Sequence, residues 1–342
     1  MTEPVLSIRD LVVEFDTPDG VVHAVDGVSY DVYPGETMGV VGESGSGKSV
    51  TVMASLGLIQ IPPGRIVSGE VIYKGNNILG RPVEELRKIR NREIAMIFQD
   101  PMTSLNPVFK VGDQIAEALL VHDEDLSDDD ARKQTIDLLE MVGVPNPARR
   151  FDQFPHEYSG GMRQRAMIAM AMANKPSVLI ADEPTTALDV TIQAQVLEVM
   201  KVAAEETGAG TIMITHDLGV VAEMADRVTV MYAGRVVETG TVDEIFHNPR
   251  HPYTLGLMMS LPRVTGEMEK LLPIPGNPPS VINLPPGCAF HPRCRMSEGR
   301  ELCRTKVPEK VGSDQGHGSA CHFPDEVMIE AKREASVTGL EV

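Results

Sequence analysis

Gly42-Glu43-Ser44-Gly45-Ser46-Gly47-Lys48-Ser49 has the residue types and spacing to hold a chain of phosphates. An apolar run, Thr37-Met38-Gly39-Val40-Val41, precedes it, and a helix-compatible segment, Val50 to Leu58, follows. Strand, glycine-rich turn and helix start in that order make a phosphate-binding loop. Gly42, Gly45 and Gly47, with Ser44 among them, let the backbone turn tightly and aim several N–H groups at one point. The helix start adds the positive end of its dipole. Lys48 is placed to reach the β- and γ-phosphates, and the Ser49 hydroxyl to ligate Mg²⁺.

Two further stretches extend this chemistry. Val178-Leu179-Ile180-Ala181-Asp182-Glu183-Pro184 is an apolar strand ending in two carboxylates. After a phosphate-binding loop, the first acid of such a pair suits Mg²⁺, and the second can activate a water for in-line attack on the γ-phosphate. Tyr158-Ser159-Gly160-Gly161-Met162-Arg163-Gln164-Arg165 places Ser-Gly-Gly ahead of a helix, a second anion site at a helix N-terminus.

In this position the Ser-Gly-Gly stretch resembles the signature of ATP-binding-cassette (ABC) ATPases. The resemblance covers residues 5–240 in order and spacing. It implies roles for Gln99 as the loop glutamine, Ala187-Leu188-Asp189 as the D-loop and His216, after Ile212-Met213-Ile214-Thr215, as the switch histidine. It implies a P-loop ABC ATPase fold of class α/β, with a RecA-like core, an antiparallel β subdomain and a helical subdomain at about 105–175. It also implies that Ser159, Gly160, Gly161 and Asp189 serve a nucleotide held by a partner chain's P-loop. Glu183, His216 and Gln99 would then be the catalytic set, with Ser49, Gln99 and Asp182 around Mg²⁺. Phe15, at the end of the first strand, is the candidate to stack on adenine. The family's signature reads Leu-Ser-Gly-Gly-Gln; here Tyr158 replaces the Leu and Met162 the Gln.

The Met variant resembles one of the two ATPase chains of oligopeptide and dipeptide importers. Asn248-Pro249-Arg250-His251-Pro252-Tyr253-Thr254 and Pro285-Pro286-Gly287-Cys288-Ala289-Phe290-His291-Pro292-Arg293-Cys294 resemble the C-terminal extension of peptide and nickel importer ATPases. The implied domains are 1–245, nucleotide-binding; 246–325, the extension with metal-binding cysteines; and 326–342, a tail. The implied partners are a second ATPase chain, a paralogue, with two transmembrane permease subunits and an extracytoplasmic peptide-binding protein. That places the chain at the cytoplasmic face of the membrane. An importer of nickel or another small solute is the closer alternative. A soluble ABC ATPase acting on DNA or ribosomes is the more distant one. Residues 50–157 leave no room for a long coiled-coil arm, which counts against the latter.

All four cysteines fall in the extension, spaced C-x5-C-x8-C-x17-C at Cys288, Cys294, Cys303 and Cys321. Four clustered thiols suit Zn²⁺ or a [4Fe–4S] cluster better than disulfides in a reducing compartment. The C-x2–4-C knuckle of zinc sites is absent. Related importer ATPases carry a [4Fe–4S] cluster in this extension, so the resemblance implies iron–sulfur, with zinc the alternative. His291, His317 and His322 are nearby and are expected at the surface.

The elements that must position these residues alternate strand and helix. Residues 5–33 read as a strand pair turning at Thr17-Pro18-Asp19-Gly20, and residues 66–75 as a third antiparallel strand. Helical spacing dominates Val111 to His122, Asp128 to Met141 and Gly160 to Ala173. Strand and helix then alternate from Val178 to Ala225, which implies a parallel sheet interrupted by a helical insertion. The acidic run Asp123 to Asp130 reads as a solvated loop entering a helix N-terminus. The net charge is −18, from 49 acidic and 31 basic residues, which argues against a nucleic-acid surface. An ordinary acidic protein and one adapted to a salty cytoplasm both fit that charge. No basic-then-apolar leader opens the sequence, and no apolar run is long enough to span a bilayer.

Overall fold

The computed structural model describes residues 3–100, 104–186, 188–260, 273–312 and 316–338, the last with side chains to 331. Ala187 of the expected D-loop and residues 339–342 of the expected tail lie outside the described residues. The chain runs β1 (Leu6–Thr17), β2 (Gly20–Val32), β3 (Thr37–Val41), α1 (Lys48–Ser55), β4 (Gly64–Tyr73), β5 (Asn76–Asn77), α2 (Val83–Ile89) and β6 (Ile94–Ile97). Helices follow: α3 (Val111–Leu120), α4 (Asp128–Met141), α5 (Pro147–Phe151) and α6 (Gly160–Met172). Then come β7 (Val178–Asp182), α7 (Val190–Thr207), β8 (Gly210–Thr215), α8 (Leu218–Met224), β9 (Arg227–Tyr232) and β10 (Arg235–Thr241). The C-terminal part holds α9 (Val242–His247), α10 (Pro252–Met259), α11 (Glu301–Thr305), β11 (Gly318–Ser319) and α12 (Pro324–Thr338).

The chain divides into two compact units, neither continuous in sequence. One takes Met1–Val5, Val32–Thr37 and Gly80–Ile214; the other takes Leu6–Asp31, Met38–Leu79 and Thr215–Val342.

In the first unit β8, β7 and β6 pair in parallel. Val178–Asp182 is buried at every position, and so is Gly210–Thr215. Such unbroken apolar burial belongs to parallel strands covered on both faces. Helices α3 to α6 fill the stretch between β6 and β7. The acidic run ends as expected: Ser127 caps α4 by accepting from the Asp130 N–H, and Asp128, Asp129 and Asp130 occupy the first turn. Carboxylates there offset the positive end of the helix.

In the second unit an antiparallel sheet, β2-β1-β4-β5, is built on the β1–β4 ladder, which runs from Leu6↔Tyr73 to Phe15↔Gly64. A further set runs β11-β10-β9-β3, with β3 parallel to β9 and the rest antiparallel. The two-residue strand β11 brings the end of the extension onto β10. Glu238 of β10 is fully buried and accepts from the N–H groups of Arg250 (2.6 Å) and His251 (2.9 Å). Its Oε1 also meets His317 Nε2 at 2.7 Å. His317 is therefore not at the surface, contrary to the expectation from sequence. Its side chain is 6% exposed because the buried carboxylate needs a partner. His291 and His322 face main-chain carbonyls, of Cys288 at 3.0 Å and Lys306 at 2.8 Å.

Candidate nucleotide site

The phosphate-binding loop lies in the second unit between β3 and α1, as its sequence predicts. Gly47 stands at the helix start with φ of +100°, and a Cβ there would lie 2.4 Å from the Ala24 carbonyl oxygen. Only glycine meets both demands. Ser44 and Gly45 are exposed at the tip. The Lys48 ammonium donates to the carbonyls of Gly42 (2.7 Å) and Glu43 (3.1 Å). Ser46 Oγ is buried with no hydrogen-bond partner among the described residues. A glycine-rich loop with an exposed tip, a buried hydroxyl and a lysine folded back over its carbonyls fits a phosphate chain. Phe15 is half-buried, and a Cβ on Gly64 would come within 3.0 Å of its ring. His216 directly follows β8.

Asp182 ends β7 and is 5% exposed. Glu183 has left the strand, with φ of +47°, a region that costs energy for any residue but glycine. Its N–H donates to the Ile214 carbonyl at 2.8 Å, which holds that backbone in place. Two donors then meet on one carboxylate oxygen: Gln99 Nε2 and Thr186 Oγ1, each 2.9 Å from Glu183 Oε2. The sequence paired Gln99 and Glu183 only through the family resemblance; the structure puts them in contact. Thr186 was missed. The signal for it is local, since the turn after Pro184 brings residue 186 back onto residue 183, with the Thr186 N–H on the Glu183 carbonyl at 3.2 Å.

Ser159 caps α6, its hydroxyl accepting from the Met162 N–H at 3.3 Å, and Ser159 and Gly160 are exposed. Gly161 packs on α7: a Cβ would lie 2.5 Å from Ile192 Cγ2. Tyr158, in the place of the family's Leu, is 3% exposed and donates its hydroxyl to the Arg150 carbonyl at 2.9 Å. Burial pushes its phenol up to about 12. Tyr158 thus fills an apolar slot and satisfies its polar tip. Asp189 caps α7, accepting from the Ile192 N–H at 3.0 Å.

The four cysteines are free thiols. Burial raises Cys294 to about 11 and Cys321 to about 12, and pushes Cys288 and Cys303 up as well. The other three thiols add to the rise at Cys321, so all four share one neighbourhood. Opposing this, the Phe323 N–H donates to Cys321 Sγ at 3.4 Å, while the His291 and Ser297 N–H groups donate to the carbonyls of Cys288 (3.0 Å) and Cys294 (3.1 Å). Among the described residues no group of three or more His, Cys, Asp or Glu is placed to hold a metal ion.

The ABC transporter family matches residues 25–186, and the C-terminal region of oligopeptide/dipeptide transporters matches residues 237–303. The chain is 56% identical over 287 residues to the oligopeptide transport ATP-binding protein OppD of Bacillus subtilis, covering 83% of this chain and 80% of that one. The chain belongs to the ATP-binding subunits of oligopeptide and dipeptide ABC transporters. The dipeptide transport ATP-binding protein DppD of the same organism is 49% identical over 326 residues, covering 95% of this chain and 96% of that one. Among solved structures the subunit is similar to the dimeric ATP-binding cassette MJ0796, captured after hydrolysis with ADP and phosphate. That match has a TM-score of 0.62 and 26% identity, over 69% of this chain and 98% of the other. The fold is the P-loop ABC ATPase fold, and the subunit hydrolyses ATP in the service of transport. Among its described residues no helix is long and apolar enough to cross a membrane.

Proposed function

We propose that this subunit powers uptake of di- and oligopeptides through separate transmembrane subunits, working from the cytoplasmic face of the membrane. What carries the reading is that one chain joins a full set of ATPase residues to a matched peptide-transporter C-terminal region at 237–303. The domains follow: 1–245 for the nucleotide, 246–325 as the extension and 326–342 as a tail.

The loop Gly42–Ser49 takes the phosphates of ATP on its amides and on Lys48, and Phe15 stacks on the adenine. Ser49, Asp182 and Gln99 would hold Mg²⁺, which when bound neutralises charge on the phosphate oxygens. Glu183 is the base. It takes a proton from water as the water oxygen bonds to the γ-phosphorus and the bond to ADP breaks. The two donors on Oε2, Gln99 and Thr186, fix the carboxylate where it meets the water. His216 contacts the γ-phosphate. Ser159, Gly160, Gly161 and Asp189 serve the nucleotide on a second ATPase chain, whose own signature closes over this loop. The exposed start of α6 supports that division of labour. A peptide-binding protein outside the membrane delivers the cargo.

The cysteines Cys288, Cys294, Cys303 and Cys321 would hold a [4Fe–4S] cluster in this reading. The Phe323 amide on the Cys321 sulfur supports it, since N–H donors stabilise thiolates around a cluster. When bound, it staples a proline-rich segment too short to bury a core of its own.

The test is ATP hydrolysis by the purified chain as its partner ATPase is titrated in. Weak activity alone, rising at least about tenfold to a plateau at equal amounts, is the expected result, because each site needs the other chain's helix end. Full activity in a demonstrated monomer contradicts it.

A further inference from the structure

No step above uses Arg293, although it stands between the histidine-proline pair and Cys294 in a stretch distinctive of the extension. Its side chain is 6% exposed. Nη1 and Nη2 donate to Glu43 Oε2 at 2.6 Å and Oε1 at 2.9 Å, a two-point grip on one carboxylate. Nη1 also reaches the Tyr232 hydroxyl at 3.3 Å, and Nε reaches the Pro275 carbonyl at 2.9 Å. Glu43 is the second residue of the phosphate-binding loop. Its N–H donates to the Tyr253 hydroxyl at 2.8 Å, and its carbonyl takes Lys48 Nζ at 3.1 Å. Every polar group of Glu43 is therefore engaged, two of the three by residues from beyond position 250. Tyr232, Tyr253 and Phe290 pack beneath, with ring centroids 4.6 to 5.4 Å apart.

We propose that Arg293 is a positioning residue for the ATP site: with Tyr253 it sets the shape of the phosphate-binding loop, so that the C-terminal extension takes part in nucleotide binding. The inference rests on reading Gly42–Ser49 as that site. Gly42, Gly45 and Gly47 all have positive φ, and a loop so rich in glycine is costly to order. Fastening Glu43 from outside orders the loop before the nucleotide arrives, and pre-ordering appears as affinity. A guanidinium suits the task because its fork matches a carboxylate at two points, which an ammonium cannot do. Arg293 is joined to Cys294 by one peptide bond, so whatever fastens the cysteines also places the guanidinium. The Glu43 bond is the first cause holding Arg293 above the usual arginine range.

Calorimetric binding of a non-hydrolysable ATP analogue with Mg²⁺ to the full-length chain tests this. Arg293→Gln and Glu43→Gln should each weaken binding at least about tenfold, since each leaves half of a partly buried pair unmatched. Arg293→Lys should recover only part of the loss. The double variant should lose no more than the worse single one. In the two-chain ATPase the change should fall on KM, with kcat at saturation altered less than about threefold. Binding within about twofold of wild type in both Arg293→Lys and Glu43→Gln, whatever their melting temperatures, overturns the proposal, and these two serve if Arg293→Gln does not fold. A wild-type chain that binds no analogue overturns the ATP-site reading and the proposal with it.

Discussion

Gln99 and Thr186 both donate to Glu183 Oε2, and that convergence is the most specific feature of the site at the scale of single residues. Gln99 is a residue the resemblance assigns to the surroundings of Mg²⁺, so its bond should loosen and reform during the cycle. Thr186 is three residues from Glu183 and its bond is local. Thr186→Ala should therefore lower kcat about fivefold with KM unchanged, the worth of one hydrogen bond of about 1 kcal/mol. Steady-state kinetics on the two-chain enzyme would read this, and an unchanged kcat would remove Thr186 from the mechanism. His251 offers a pH test. It is buried, its Nδ1 accepts from the Tyr253 N–H at 3.1 Å, and burial lowers its pKa from 6.5 to about 3. Between those values the unfolded chain binds a proton at this ring that the folded chain does not. The ring's contribution is thus complete above pH 6.5 and is lost as pH falls toward 3. Denaturant midpoints at pH 7 and pH 5 should differ more in wild type than in His251→Asn, which keeps an acceptor for Tyr253. Equal differences would show that another group sets the acid limb.

At the scale of elements, most of what positions the site was legible in the sequence. The apolar runs at 37–41, 178–182 and 210–215 are strands, and the helices at 128–141 and 160–172 sit where their caps place them. Short-range chemistry dictates these, so a linear reading finds them. What escaped is long-range. The Arg293–Glu43 pair spans 250 positions and the Glu238–His317 pair 79, and no local pattern announces either. Strand β11 is two residues long and exists because β10 offers it an edge. Tyr158 was seen as a departure from the signature but not as a buried residue bonded to Arg150. The α6–α7 contact carries its own prediction. Gly161→Ala drives a methyl into Ile192, and such overpacking costs about 1–3 kcal/mol. Its melting temperature should fall, and Ile192→Ala in the same chain should restore part of the loss. No fall would mean that the close approach of α6 to α7 is not real.

At the scale of the whole molecule, the proposed function draws on several stretches of chain. The phosphate-binding loop and the carboxylate pair fall in different compact units, and the start of α6 faces outward. Aromatic residues make up only 4% of the chain, yet three of them gather beneath Glu43, where the extension meets the loop. The extension is in this sense part of the ATPase. Its residues Arg293 and Tyr253 fasten Glu43 of the phosphate-binding loop. The charge of −18 bears on the solvent the protein works in. The most direct test of the account is uptake of a labelled oligopeptide by proteoliposomes containing the permease subunits, both ATPase chains and the peptide-binding protein. With wild type, uptake should require ATP. With Glu183→Gln in this chain, ATP should still bind while hydrolysis and uptake fall together by at least about a hundredfold. Undiminished uptake in that variant, or uptake by wild type without ATP, would contradict it.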